Sequence, residues 1–396
     1  MFHQASPILI AGLLAGLLGL CSCVHRPIQA PPPPDELTES LQPPAQLEGG
    51  IFTVEAHIGG LGPFRLFLDT GASWTVISTD VAEQLKRAGA LTDIRDGKVN
   101  TAAGKRHLFD FVELTQIELG EFRVPTATAF VGDFRLMEIS TGQPIDGFVG
   151  MDLFRSSLLV MDYPNGQLRM EPLGVKPPTN SFVLPARFPH FTPLISLEIG
   201  GTTFDMMLDT GSGFGFSIPE RASRKLFQAK PVVVGHAVTA SGVSESKEVR
   251  MRKNLHFGGL TFEQPIVNLV GTKYGSVGVD VLQHFTLGIN QRQGEIWLLP
   301  DGNQPVIQSP PVKNLGVTFI RNGEVLHITH VLPGSDARKA GLRRGDAIIR
   351  IDDTPIANWS ESSLANAAHF SESFLVEIRR GTEVRRIRLN SFTAIE

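Results

Sequence analysis

The apolar pattern begins with an unbroken run of Ile, Leu, Ala and Gly from Ile8 to Leu20. That is short for a membrane span and has the length of the apolar part of a secretory signal. Ala30 to Gln46 is polar and proline-rich, with Pro31-Pro32-Pro33-Pro34 and Pro43-Pro44, which predicts an extended polyproline spacer over residues 24–48. Short apolar segments with strand character follow, and two of them run directly into the same tripeptide. Leu66-Phe67-Leu68 precedes Asp69-Thr70-Gly71, and Met206-Met207-Leu208 precedes Asp209-Thr210-Gly211. Beyond Pro310-Pro311 the pattern changes again, with a strand expected over Ala347 to Ile351 and a helix over Glu361 to Phe370.

The repeat extends past the tripeptide. About thirty residues on, Thr101-Ala102-Ala103-Gly104 matches Thr239-Ala240-Ser241-Gly242, each read as a glycine hairpin tip. Phe148-Val149-Gly150-Met151-Asp152 then matches Ser276-Val277-Gly278-Val279-Asp280, and Asn165-Gly166 matches Gln293-Gly294. From Gly150 to Gly166 and from Gly278 to Gly294 the spacing is the same, sixteen residues without a gap. One Asp-Thr-Gly fits an ordinary turn, because Asp and Gly both suit turns. Four features in register twice predict two similar β lobes.

Composition narrows the chemistry. The chain has 396 residues, 42% apolar and 19% charged, with a formal net charge of -4. This allows two or three packed domains and gives no sign of nucleic-acid binding. Arg379, Arg380, Arg385, Arg386 and Arg388 alternate along a strand-like stretch and read as a solvated face. The two cysteines, Cys21 and Cys23, both lie in the leading segment, so the folded body has neither a disulfide nor a thiolate nucleophile. The eleven His residues show no metal-ligand spacing, and neither a metal nor another cofactor is expected. Two facing carboxylates remain as the chemistry to consider. Held about 3 Å apart they share one proton, one acting as acid and the other as base toward a water.

On these motifs residues 49 to 303 resemble the pepsin and retropepsin superfamily of bilobed aspartic peptidases (clan AA). The resemblance implies a mainly β fold of two pseudo-twofold-related lobes, 49–173 and 183–303, with a catalytic dyad of Asp69 and Asp209. Thr70, Gly71, Thr210, Gly211, Ser212, Gly150 and Gly278 would support the dyad, and Ala103, Gly104, Ser241 and Gly242 would form flap tips. Two similar lobes look like a fused retropepsin dimer. Neither tip carries the Tyr of pepsin-like flaps, since Tyr163 and Tyr274 lie elsewhere. Ala72 follows the first Gly as in retropepsins, and Ser212 follows the second as in pepsin-like enzymes. Ser212 is expected to stabilise an ionised Asp209 and leave the proton on Asp69. Asp152 and Asp280 read as helix caps, Trp74 as core, and Asp146 is unassigned.

Two further resemblances complete the expectations. Val331-Leu332-Pro333-Gly334-Ser335 and Ala340-Gly341-Leu342-Arg343-Arg344-Gly345-Asp346 resemble bacterial PDZ domains, implying a small α+β domain at 312–392. Leu315-Gly316-Val317 would hold the C-terminal carboxylate of a peptide ligand. Leu20-Cys21-Ser22-Cys23 resembles a bacterial lipobox, so residues 1–23 imply export, with a periplasmic or envelope location through a lipidated Cys23 or an uncleaved anchor. The leading reading is an aspartic endopeptidase acting on polypeptide. A non-catalytic, envelope-associated peptide-binding adaptor and a peptidase of narrow specificity are the alternatives.

Overall fold

The computed structural model describes residues 31–100, 106–135, 137–138, 144–239, 242–302, 304–359, 363–364, 367 and 371–396. The fold is mainly β, as expected. The expected signal and lipobox, Cys23 included, lie outside the described residues, as do Ala103, Gly104, Ser241 and most of the expected helix over 361–370.

The first lobe is an eight-stranded sheet in the order Ala45–Glu48, Ile51–Ile58, Leu61–Leu68, Gly147–Val149, Thr75–Ser78, Phe122–Gly132, Arg106–Leu119, Leu91–Asn100. The second lobe repeats the arrangement with seven strands: Leu194–Ile199, Thr202–Leu208, Gly275–Val277, Phe216–Pro219, Ile266–Val270, Gly242–Arg250, Val232–Thr239. Alternation along the strands explains the core. Leu66, Leu68, Ile77 and Val149 of one lobe and Leu208, Ile218, Val267 and Val277 of the other enter one shared apolar cluster.

A five-stranded sheet joins the halves, in the order Gln167–Glu171, Leu158–Asp162, Phe285–Asn290, Glu295–Pro300, Phe182–Pro185. At its centre Val160 pairs antiparallel with Gly288, and Leu159 with Ile289. Val160 and Gly288 are equivalent positions of the two repeats, so the pseudo-twofold axis passes through this pair.

The faces turned away from the shared core differ. In the first lobe Val76, Phe111, Phe130 and Phe148 form a second apolar cluster, sealed by Phe134, whose ring meets Phe148 edge-on at 4.9 Å. The same four register positions in the second lobe hold Ser217, Glu248, Asn268 and Ser276. There Ser246 donates to Asn268 at 3.3 Å and Asn268 donates to Ser217 at 3.2 Å. Phe134, Met137 and Ile145 of this cluster lie between Phe122–Gly132 and Gly147–Val149, where the second lobe has only residues 271–274 between Ile266–Val270 and Gly275–Val277.

Residues 31–48 depart from the expected spacer. Leu37, Leu41, Ala45 and Leu47 pack against the main core, Leu41 exchanges backbone hydrogen bonds with Met170 at 2.8 and 2.9 Å, and Ala45–Glu48 pairs with Ile51–Ile58. Arg155 donates to the carbonyl of Pro31 at 2.8 Å. Composition reports the preference of an isolated segment, but these leucines have an apolar surface and a free sheet edge within reach. Past the second lobe, Val306–Gln308 also joins the body, in parallel with Leu260–Glu263.

The C-terminal sheet runs in the order Val317–Asn322, Val325–Val331, Ala347–Ile351, Ser373–Arg380, Glu383–Asn390 around its own apolar cluster. A chain beginning at residue 49 is expected to lose on the order of 3 kcal/mol of stability against one beginning at residue 31, from three half-buried leucines. Urea denaturation of the two chains measures the difference.

Candidate active site

Each Asp-Thr-Gly begins where a strand ends. Leu68 pairs with Val149 and Leu208 with Val277, and the next amide continues each ladder: Asp69 N–H donates to Val149 O at 3.1 Å, Asp209 N–H to Val277 O at 2.9 Å. The chain then turns, with Ala72 N–H bonded to Asp69 O and Ser212 N–H to Asp209 O, both at 3.1 Å. The turn points each carboxyl at the other. Gly71 N–H donates to Asp69 Oδ1 at 2.8 Å, Gly211 N–H to Asp209 Oδ1 at 3.1 Å, and the two carboxyl groups are hydrogen-bonded to each other.

Only glycine fits beside them. A Cβ on Gly71 would lie 2.5 Å from Asp209 Oδ1, and one on Gly211 would lie 2.6 Å from Asp69 Oδ1. Gly150 and Gly278 have a comparable role behind the turns, where a Cβ would lie 2.3 Å from the Trp74 backbone and 2.2 Å from Phe214 O. Met151 N–H and Val279 N–H bond to the carbonyls of Ala72 and Ser212 at 2.9 and 2.8 Å.

The threonines cross between lobes. Thr70 Oγ1 donates to Leu208 O at 2.7 Å and accepts from Thr210 N–H at 3.0 Å. Thr210 Oγ1 donates to Leu68 O at 2.8 Å and accepts from Thr70 N–H at 3.0 Å. Both side chains are fully buried, so each hydroxyl satisfies a donor and an acceptor that water does not reach. Gln291 adds a cross-lobe contact from its side-chain amide to Met151 O at 2.6 Å.

Asp69 is buried, and that burial pushes its carboxyl up to about 6 against the lowering effect of hydrogen bonds from Gly71, Ala72, the Asp209 side chain and Gly211. Asp152, expected from sequence to cap its own helix, does not do so. It accepts from Thr75 N–H at 2.9 Å and Thr75 Oγ1 at 3.2 Å, tying the helix to the strand that follows the first turn, and burial pushes it up to about 7. Phe216 stands where the second lobe would need a matching hydroxyl. Asp280 is pushed up to about 6 by burial, and Glu248 to about 7 by burial and the charge of Asp280. Asp146 accepts from Arg65 N–H at 2.8 Å, and Trp74 is core, edge-on to Phe191 at 5.2 Å.

The remaining expected residues lie apart from the carboxyls. Gly242 pairs with Thr239 at the top of its hairpin. Leu315 and Val317 are buried, and Gly316 N–H donates to Asn314 Oδ1 at 2.8 Å, so a ligand carboxylate there competes with that side chain. Among the described residues no group of three His, Cys, Asp or Glu could hold a metal ion.

Thr70→Val orphans Leu208 O and Thr210 N–H and is expected to cost about 2–5 kcal/mol, whereas Thr70→Ser stays within about 1 kcal/mol; denaturant unfolding separates the two. The raised carboxyls bind protons more tightly folded than unfolded, so their contribution to stability is fully present below about pH 4 and is lost as pH rises through about 6 to 7. Asp152→Asn keeps an acceptor for Thr75 and should flatten the decline in melting temperature between pH 5 and 8.

Comparison with known proteins agrees with this organisation. Residues 54–153 match a family model described as aspartyl protease, and residues 304–375 match the PDZ domain model. A 68-residue stretch is 35% identical to a protein named putative serine protease HhoA from Synechocystis sp. (strain ATCC 27184 / PCC 6803 / Kazusa), covering 17% of this chain and 17% of that protein. The chain is a mainly β protein that carries an aspartyl protease domain over residues 54–153 and a PDZ domain over residues 304–375.

Proposed function

We propose that this chain is an aspartic endopeptidase in which Asp69 and Asp209 activate one water for attack on a peptide bond, with the PDZ domain binding a peptide or protein partner. The observation that carries the reading is the pair of hydrogen-bonded carboxyls held by reciprocal threonine bonds across two repeats. The family match to residues 54–153 covers one half-site, and the internal repeat supplies the other. In this reading burial favours the proton on Asp69, leaving Asp209 as the base that takes a proton from water while Asp69 protonates the substrate. The adaptor reading requires a disabled cleft, and both carboxyls are present.

The similarity to a protein named as a serine protease does not favour a serine mechanism. A 68-residue match is shorter than the 140 positions between the two threonines of the repeat, so it cannot contain both half-sites. Export and anchoring through residues 1–23 and Cys23, to a periplasmic or envelope setting, are part of the same proposal and rest on the lipobox resemblance.

Casein cleavage by the purified chain is expected to fall as pH rises above about 6, as Asp69 loses its proton. Asp69→Asn and Asp209→Asn should each lower it at least a hundredfold. Retained cleavage in either variant would overturn the dyad. Ser212→Ala is expected to move the acid limb of the pH–rate profile upward, and an unchanged profile would remove Ser212 from the assignment of protons.

A further inference from the structure

The outermost strand of the second lobe faces the outermost strand of the PDZ sheet. Val232–Thr239 ends the lobe's sheet and Val317–Asn322 ends the PDZ sheet, and the two run alongside each other. Their contact is made by side chains. His236, whose buried Nδ1 has no hydrogen-bond partner among the described residues, stacks its ring on His330 at 6.2 Å between centroids. His330 is placed by Thr318 Oγ1 at 3.2 Å and meets Glu245 at 3.3 Å. Glu245 is the cross-strand partner of His236 in the lobe's hairpin, so one pair of hairpin side chains clasps one PDZ histidine. Lower on the hairpin, Arg250 donates to the carbonyls of Ser309, at 3.1 Å, and Glu396.

A terminal strand presents a row of backbone groups, and an extended peptide satisfies that row by adding a strand. Here the rings of His236 and His330 fill the space between the two edges, and no pairing between Val232–Thr239 and Val317–Asn322 occurs among the described residues. A peptide entering at this edge would replace a side-chain contact with main-chain bonds, and it would need the space that His236 and its strand occupy.

We propose that the strands Val232–Thr239 and Gly242–Arg250 cover the edge Val317–Asn322 of the PDZ sheet in cis, so that an extended peptide with a free C-terminal carboxylate displaces this hairpin from the PDZ domain. The hairpin is the second-lobe equivalent of the one ending near Asn100 and Arg106 in the first lobe. Partner binding is thereby coupled to the mobility of an element of the peptidase.

The test uses the full chain carrying Asp69→Asn, so binding is read without proteolysis and independently of the proposed mechanism. The probe is a pool of fluorescein-labelled octapeptides ending in Val, Leu or Phe, with the C-terminal amides as control, followed by fluorescence anisotropy. His236→Ala, and separately Glu245→Gln, should tighten binding of the free-acid pool threefold to tenfold. Saturating peptide should speed amide hydrogen exchange in residues 232–239. Unchanged affinity in both variants, unchanged exchange on saturation, or absence of binding by the parent and both variants would each overturn the proposal.

Discussion

Two carboxyl groups placed side by side away from water repel once both are ionised, and the surrounding structure is organised against that repulsion. The shared hydrogen bond relieves it within the site. The threonine exchange resists it from outside, because separating the carboxyls means breaking four cross-lobe bonds among fully buried groups. The absence of side chains at Gly71 and Gly211 allows the close approach, and the strand ladders through Val149 and Val277 fix the direction from which each Asp arrives.

What could be read in the sequence was whatever is local and repeated. Asp-Thr-Gly, the paired glycines sixteen residues apart and the Asn-Gly and Gln-Gly turns are short segments whose meaning is carried by their own backbone demands, and their recurrence gave the bilobed organisation. The reading weakened where partners are distant. Asp152 looked like a cap because Asp suits helix starts, but its partner Thr75 is 77 positions away. Residues 31–48 looked like a spacer because proline favours extended chain, and nothing local announces the apolar surface that takes up Leu37, Leu41 and Leu47. His236 and His330 are single residues in unrelated stretches, brought together only by the docking of two sheets.

The lobes have the same topology and different linings. Aromatic and aliphatic side chains fill the second face of the first sheet, together with Phe134, Met137 and Ile145. The matching face of the other sheet is a hydrogen-bonded run of Ser and Asn beside Glu248. Such divergence is available because the halves are encoded separately, so a substitution in one lobe leaves the other untouched. A symmetric dimer would pass every change to both sides at once.

The Val160–Gly288 pair on the pseudo-twofold axis places the junction of the halves inside a single covalent chain. The carboxyls therefore come together by folding and not by association, and their proximity does not depend on concentration. Dilution leaves the site intact, and mass action, which keeps half-sites apart in a dissociable dimer until enough copies accumulate, provides no means of silencing this one.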